Sequence, residues 1–287
     1  MKAASIRAKL LELSKTKNIS FQLIIYRYLH ERLLYRLSQS DYRDNFILKG
    51  GNLIYAFENL LTRATKDIDF LGVHLSNDQE LLTDIFKNIL RITDNEDAVW
   101  FNPDSIQTEA ITELNKYSGL RVFFEGGFDR IRQKIQVDIG FGDVVYPELV
   151  NIDFPLLVPT LNSVLIKAYS KESVIAEKLH AIITLSYTNS RMKDFYDLFI
   201  LLTTFNFDLD ILSDAIIATF KHRETPILPN PSFFEEEFMS DKTLNSLWYR
   251  FIKNNNLEIE HNFESIIKIL KVKISPLWEN ILQRKIN

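Results

Sequence analysis

The first regularity along the chain is a spacing of three and four between apolar residues: Leu10 and Leu13, then Leu23, Ile24 and Tyr28, then Leu33, Leu34 and Leu37. That period predicts two helices between Ile6 and about Ser40, each with one apolar stripe. Further on the period changes to two. Ile68 and Phe70 alternate with Asp67, Asp69 and Leu71, and Ile135, Val137, Ile139 and Phe141 alternate with Gln136, Asp138 and Gly140. Both segments read as strands with an acidic face. A third strand is expected at Leu120 to Glu125, joined to the Asp138 strand by a hairpin through the Gly126 region. All 8 glycines lie between Gly50 and Gly142, and the chain beyond reads as mostly helical. Pro147, Pro155 and Pro159 punctuate the segment between, which is expected to run as an extended connection near residues 144 to 165. The expected organisation is α+β: a mixed-sheet core with N-terminal helices over residues 1–155, and a helical C-terminal lobe over 156–287. Phe233 to Phe238 (FFEEEF) reads as a solvated helix start.

Composition narrows the chemistry. The chain has 34 Lys+Arg against 38 Asp+Glu, a net charge of -4, so charge alone does not coat a phosphate backbone and any nucleic-acid contact is local. Without cysteine, thiolate sites and disulfides are excluded and a metal would sit on oxygen ligands. The N-terminal segment has no secretory signal pattern, and no stretch approaches the roughly 18 uninterrupted apolar residues of a membrane span. A soluble, cytoplasmic protein is expected. His30, His74, His180, His222 and His261 are scattered without zinc spacing and read as structural or surface groups.

Leu48-Lys49-Gly50-Gly51-Asn52-Leu53 places two glycines after an apolar run and before a helical pattern through Leu53, Ile54, Phe57, Leu60 and Leu61. Such a turn lets backbone amides approach an anion at a helix N-terminus, although glycine is also the default residue of any tight turn. Asp67 and Asp69, two apart on a strand, point to the same face, near enough to share a divalent cation or bridge two. Asp138 on a similar acidic face would complete a three-carboxylate cage for Mg²⁺; the alternative is a polar sheet face near strand ends. Downstream, Lys178 lies between Ile175 and Ile182 on an apolar helical stripe. Its ammonium either snorkels to the surface or holds a phosphate as a point charge. Asp194 opens the next helix, where it favours the helix dipole, within a dense charge group of Arg191, Lys193 and Asp197.

Taken together, Phe46-Ile47-Leu48-Lys49-Gly50-Gly51, Thr65-Lys66-Asp67-Ile68-Asp69-Phe70, Gln136-Val137-Asp138-Ile139-Gly140-Phe141-Gly142-Asp143, Ala176-Glu177-Lys178-Leu179 and the run from Asn189 to Leu198 resemble the AbiEii/AbiGii toxin family of nucleotidyltransferases. The resemblance runs from the N-terminal helices to at least Pro229. It implies a DNA polymerase β type of nucleotidyltransferase core, with Gly50, Gly51 and Asn52 as the phosphate-holding turn and Asp67 and Asp69 as the metal pair. Asp138 matches the third carboxylate, and Lys178 and Asp194 the two second-lobe catalytic positions. The family's turn commonly bears Ser or Thr where this chain has Asn52; an amide can bond a phosphate oxygen but cannot be phosphorylated. Mg²⁺, a nucleoside triphosphate, an RNA (tRNA) acceptor and a separately encoded antitoxin are implied, in a toxin-antitoxin or phage abortive-infection setting. Transfer to a protein partner, as in AMPylation, and a catalytically silent nucleotide-binding module are the alternatives. Arg121, Arg130, Arg132 and Lys134, near the expected hairpin, read either as acceptor contacts or as a charged, solvated sheet edge.

Overall fold

The computed structural model describes residues 3–58, 63, 65–112 and 118–286. The chain folds as two compact units, one of Met1–Gly142 with Val150–Ala168, the other of Asp143–Leu149 with Tyr169–Asn287.

The first unit begins with the two expected helices, α1 (Ala3–Thr16) and α2 (Phe21–Ser38), the second started by the Ser20 side chain accepting from the Leu23 amide. Then follow β1 (Phe46–Lys49), α3 (Gly50–Glu58), β2 (Asp67–Gly72) and α4 (Gln79–Arg91). The unit is completed by β3 (Val99–Thr112), β4 (Ser118–Phe128), β5 (Ile131–Phe141), β6 (Val150–Phe154) and β7 (Val164–Ala168). They form one seven-stranded mixed sheet in the order β3-β4-β5-β2-β1-β7-β6. The expected strands at Asp67, Leu120 and Asp138 are all present, β2 running parallel to β5 and β4 antiparallel to β5. The hairpin turn lies at Asp129 and Arg130; Gly126 is inside β4, paired with Gln133.

Alternation explains how the sheet divides its faces. Phe70 on β2 meets Phe46 on β1, and Phe46 meets Phe86 on α4, each pair edge to face, while Tyr28 on α2 packs on Phe128. The opposite pleat carries the charged residues. Buried polar groups tie α2 to the sheet: Arg36 donates to both Asp97 oxygens and to the Val99 carbonyl, and Tyr28 donates to the Asp97 carbonyl. The segment read as an extended connection is in part sheet, because β6 pairs antiparallel with β7 and β7 lies parallel to β1. Of the helical pattern after the glycine pair, Leu60 and Leu61 lie outside the described residues.

The second unit is helical: α5 (Lys171–Leu185), α6 (Met192–Thr204), α7 (Leu209–His222), the short α8 (Glu236–Ser240), α9 (Lys242–Asn255) and α10 (Phe263–Ile286). Ile175, Leu179 and Ile182 of α5 and Phe195, Leu198 and Leu202 of α6 are buried, as their stripes require. The FFEEEF segment departs from its expected solvated role. Phe233 and Phe238 are buried and Phe238 packs near Phe195 and Phe263, so the aromatics belong to the core and only the three glutamates between face water. Among the described residues, no helix is long and apolar enough to cross a membrane.

Candidate active site

At the junction of β1 and α3, Gly50 has a φ of 68°, in the left-handed region that a side chain disfavours. A second requirement is steric. A Cβ on Gly50 would overlap the Asp69 carboxylate, with Asp69 Cγ at 2.6 Å, and one on Gly51 would stand 2.8 Å from Thr65 Oγ1. The pair therefore does more than turn the chain: it makes the space that Asp69 and Thr65 occupy.

Sheet register then assembles the carboxylates. Glu109, Arg121, Asp138, Asp69 and Lys49 stand in one row across β3, β4, β5, β2 and β1. Directly opposed residues share a face, and Asp67, two residues from Asp69, joins them. Asp67, Asp69 and Asp138 each offer an oxygen, and these oxygens lie within 4.8 Å of one another. A donor set of carboxylate oxygens alone suits a hard divalent cation such as Mg²⁺ rather than a soft metal.

Asp67 and Asp138 each have side-chain hydrogen-bond partners. Thr65 Oγ1 donates to Asp67 Oδ1 at 2.8 Å. Asn52 Nδ2 donates to the Asp67 carbonyl at 2.8 Å, and Asn52 Oδ1 bonds His30 Nδ1 at 3.3 Å. Asn52 is buried, so both polar ends of its side chain are taken inside the unit and only its backbone belongs to the turn. Burial, ahead of the opposing hydrogen bond from Asn52, lowers the His30 pKa to about 4, which leaves the ring neutral at pH 7. Asp138 accepts from Arg121 Nε at 2.7 Å and Nη2 at 2.8 Å, a bidentate pair, and from Gln136 Nε2 at 3.1 Å. Arg121 also reaches Glu109 at 3.4 Å.

In the second unit, Lys178 on α5 does not snorkel. Its Nζ lies 3.0 Å from Asp194 Oδ1 and 2.7 Å from Asp197 Oδ2, and the three side chains are only 10%, 2% and 1% exposed. Asp194, in the first turn of α6, also pairs with Arg191 Nε at 2.9 Å. Residues expected to act together from distant parts of the sequence are thus joined, and Asp197 is a full member of the group.

A family model described as the nucleotidyl transferase AbiEii toxin of a type IV toxin-antitoxin system matches residues 32–284. The chain belongs to the AbiEii nucleotidyltransferase family. Its fold is that of solved relatives. A Helicobacter pylori protein described as a candidate nucleotidyltransferase aligns with a TM-score of 0.56 at 16% identity, over 92% of this chain and 98% of that one. The H. pylori protein JHP933 aligns with a TM-score of 0.54 at 17% identity, over 93% and 96%. No curated protein matches the chain in sequence.

Gly50, Gly51, Asn52, Asp67, Asp69 and Asp138 thus gather in the first unit of this AbiEii-family enzyme, and Lys178 and Asp194 in the second. Thr65, Gln136 and His30 carry no site signal in the sequence pattern, and Arg121 stands there only within a basic group. Thr65, two residues ahead of Asp67, was open to inspection as a local hydroxyl partner. Arg121 and Gln136 needed the strand register, and His30 the packing of α2 against α3, which no local pattern carries.

Proposed function

We propose that the enzyme transfers a nucleotide from a nucleoside triphosphate to the end of an RNA, tRNA being the expected acceptor, as the toxin partner of a separately encoded antitoxin in the cytoplasm. The observation that carries this reading is the three-carboxylate face beside a glycine turn, in a chain of a nucleotidyltransferase family. Transfer joins the acceptor hydroxyl oxygen to the α-phosphorus, breaks the bond from that phosphorus to the bridging oxygen, and releases pyrophosphate. Mg²⁺ held by Asp67, Asp69 and Asp138 would neutralise triphosphate charge and favour the deprotonated acceptor hydroxyl. Backbone amides at Gly50 and Gly51 hold phosphate oxygens, while the Asn52 side chain serves as a brace on the Asp67 strand. Of the two second-unit positions that the family resemblance implies, we assign Lys178 to a triphosphate oxygen as a point charge, and Asp194 to orienting that lysine or to assisting the acceptor hydroxyl.

The test is retention of label from radioactive nucleoside triphosphates with Mg²⁺, in the presence of RNA or, separately, cell protein. Label is expected in RNA, and Asp67→Ala and Asp69→Ala should abolish it without lowering thermal stability. Label in protein instead would replace RNA by a protein acceptor. Nucleotide binding without transfer to either would leave a silent binding module.

A further inference from the structure

The pleat that carries Asp138 continues along β5 through Gln136, Lys134 and Arg132, since alternate residues share a face. Their partners on β4 are Phe123 opposite Gln136, Glu125 opposite Lys134 and Gly127 opposite Arg132, and β3 places Trp100 opposite Gly127. The carboxylate face is therefore one end of a strip. At about 3.3 Å per residue, Lys134 lies roughly 13 Å and Arg132 roughly 20 Å along the strand from Asp138.

Two features of the strip are unusual for a solvated sheet face. Phe123 and Trp100 both stay partly open to water on it. Each ring carries a cation, with Lys134 Nζ 3.7 Å from the Phe123 centroid and the Arg132 guanidinium 5.5 Å from the Trp100 ring. Gly127 makes room for this, because a Cβ there would overlap the Trp100 ring. The second feature is charge. Arg130, Arg132 and Lys134 are exposed and make no ion pair among the described residues, in a chain whose net charge is -4. Glu125 is the acidic residue within this stretch of the strip, and it too is exposed.

We propose that this strip is the seat of the single-stranded end of the acceptor nucleic acid, with Phe123 and Trp100 as stacking platforms for bases and Lys134 and Arg132 as phosphate contacts. Bases stack on aromatic faces without regard to sequence, and cations beside the rings meet the backbone. A duplex cannot present its base faces to such platforms, so the strip selects an unpaired end. An exposed cation resting on a ring can swing to a phosphate as a base takes its place. The proposal rests on the RNA-transfer reading above, and adds to it where the acceptor lies and that it is unpaired there.

The experiment is fluorescence anisotropy of the whole protein with a short single-stranded oligoribonucleotide of mixed sequence, titrated over a range of salt. Losing two phosphate contacts in the Arg132→Ala, Lys134→Ala double variant should flatten the slope of log affinity on log salt by about 1.4, at about 0.7 per contact. Phe123→Leu keeps apolar packing but removes the π face, and should weaken binding about fivefold or more while leaving the slope unchanged. Affinity for the same sequence as a duplex should be insensitive to Phe123→Leu. Glu125→Gln, a surface change, should tighten single-strand binding. An unchanged slope in the double variant, or equal losses for single strand and duplex in Phe123→Leu, overturns the proposal. Transfer of label to protein rather than RNA overturns the RNA reading and the proposal with it; label in RNA with unaltered binding by these variants overturns the proposal alone.

Discussion

Gly50→Ala is the change that most directly couples backbone strain to the carboxylate face. Alanine at a φ of 68° is strained by about 1–2 kcal/mol. At about 2–4 °C per kcal/mol for a domain of this size, the thermal midpoint should fall by about 2–8 °C. The added methyl has a larger effect on position. It would stand 2.6 Å from Asp69 Cγ, whereas carbon atoms pack at about 3.5–4.0 Å, so the carboxylate must move by about 1 Å or more. A displacement of that order at a reacting centre lowers rate by about 100-fold. The assay is transfer of labelled nucleotide at a temperature where the variant is fully folded, with the melt recorded on the same sample. Gly51→Ala is the matched comparison: its φ is not positive and its Cβ would stand 2.8 Å from Thr65 Oγ1 and 3.0 Å from Thr65 Cβ, a milder overlap away from Asp69, so it should lose activity less severely. Transfer by folded Gly50→Ala within about threefold of wild type would refute the claim that the glycine makes room for a working Asp69.

Arg121→Gln removes a cation that occupies both oxygens of Asp138, so Mn²⁺ titration of the variant should show binding about tenfold tighter; weaker binding would mean the arginine orients Asp138 for the ion rather than competing with it. Lys178→Met removes the cation that pairs with both Asp194 and Asp197 in the interior, and should lower stability in urea by about 3–5 kcal/mol. A loss under about 1 kcal/mol would show that the group is better hydrated than its burial indicates. His180 has its pKa lowered to about 4, by burial first and then by the Arg223 charge, against about 6.5 in an unfolded chain. Its contribution to stability is full above pH 6.5 and is lost as pH falls toward 4, with a slope of up to about 1.4 kcal/mol per pH unit. His180→Gln should flatten the fall of the thermal midpoint between pH 6.5 and 4.5, and an unaltered profile would count against the assignment.

Strands β2 and β5 were legible because one pleat is apolar and the other mostly polar or charged, and a period of two survives any error in their ends. β6 and β7 have the same alternation in Val150, Ile152, Phe154 and in Val164, Ile166, Ala168, but the flanking prolines dominated the local signal. Those prolines sit outside the strands, where a missing amide breaks no ladder bond. β3 was concealed differently, by an irregularity between Asn102 and Gln107 that interrupts the alternation. The identity of the carboxylates was available from spacing; their partners were not. Nothing in a one-dimensional pattern tells that Arg121 faces Asp138, because that depends on the register of a hairpin whose turn was expected three residues too early. Lys178 shows the limit from the other side. Its place on an apolar stripe was visible, but burial became intelligible only once Asp194 and Asp197 came from α6 to meet it.

Asn52, the departure from the family's usual Ser or Thr, gives the sharpest test of what that position does in this chain. Its Nδ2 donates to the Asp67 carbonyl, which leaves Oδ1 toward His30 and requires His30 to carry its proton on Nδ1. A neutral ring with that tautomer agrees with the downward shift of its pKa. Serine has one oxygen on a shorter stem and cannot span from α2 to the Asp67 backbone. Asn52→Ser would therefore leave at least one buried polar group without its partner, at a penalty of about 1–3 kcal/mol. It would also release the Asp67 carbonyl at the start of β2, beside the Asp67 carboxylate, so transfer should fall further than the stability loss accounts for. Asn52→Asp separates the two bonds, since a carboxylate can accept from His30 but cannot donate to the carbonyl. Equal stability and equal transfer in Asn52→Ser would show that the brace is dispensable, and would return residue 52 to the role of a phosphate ligand that either side chain can fill.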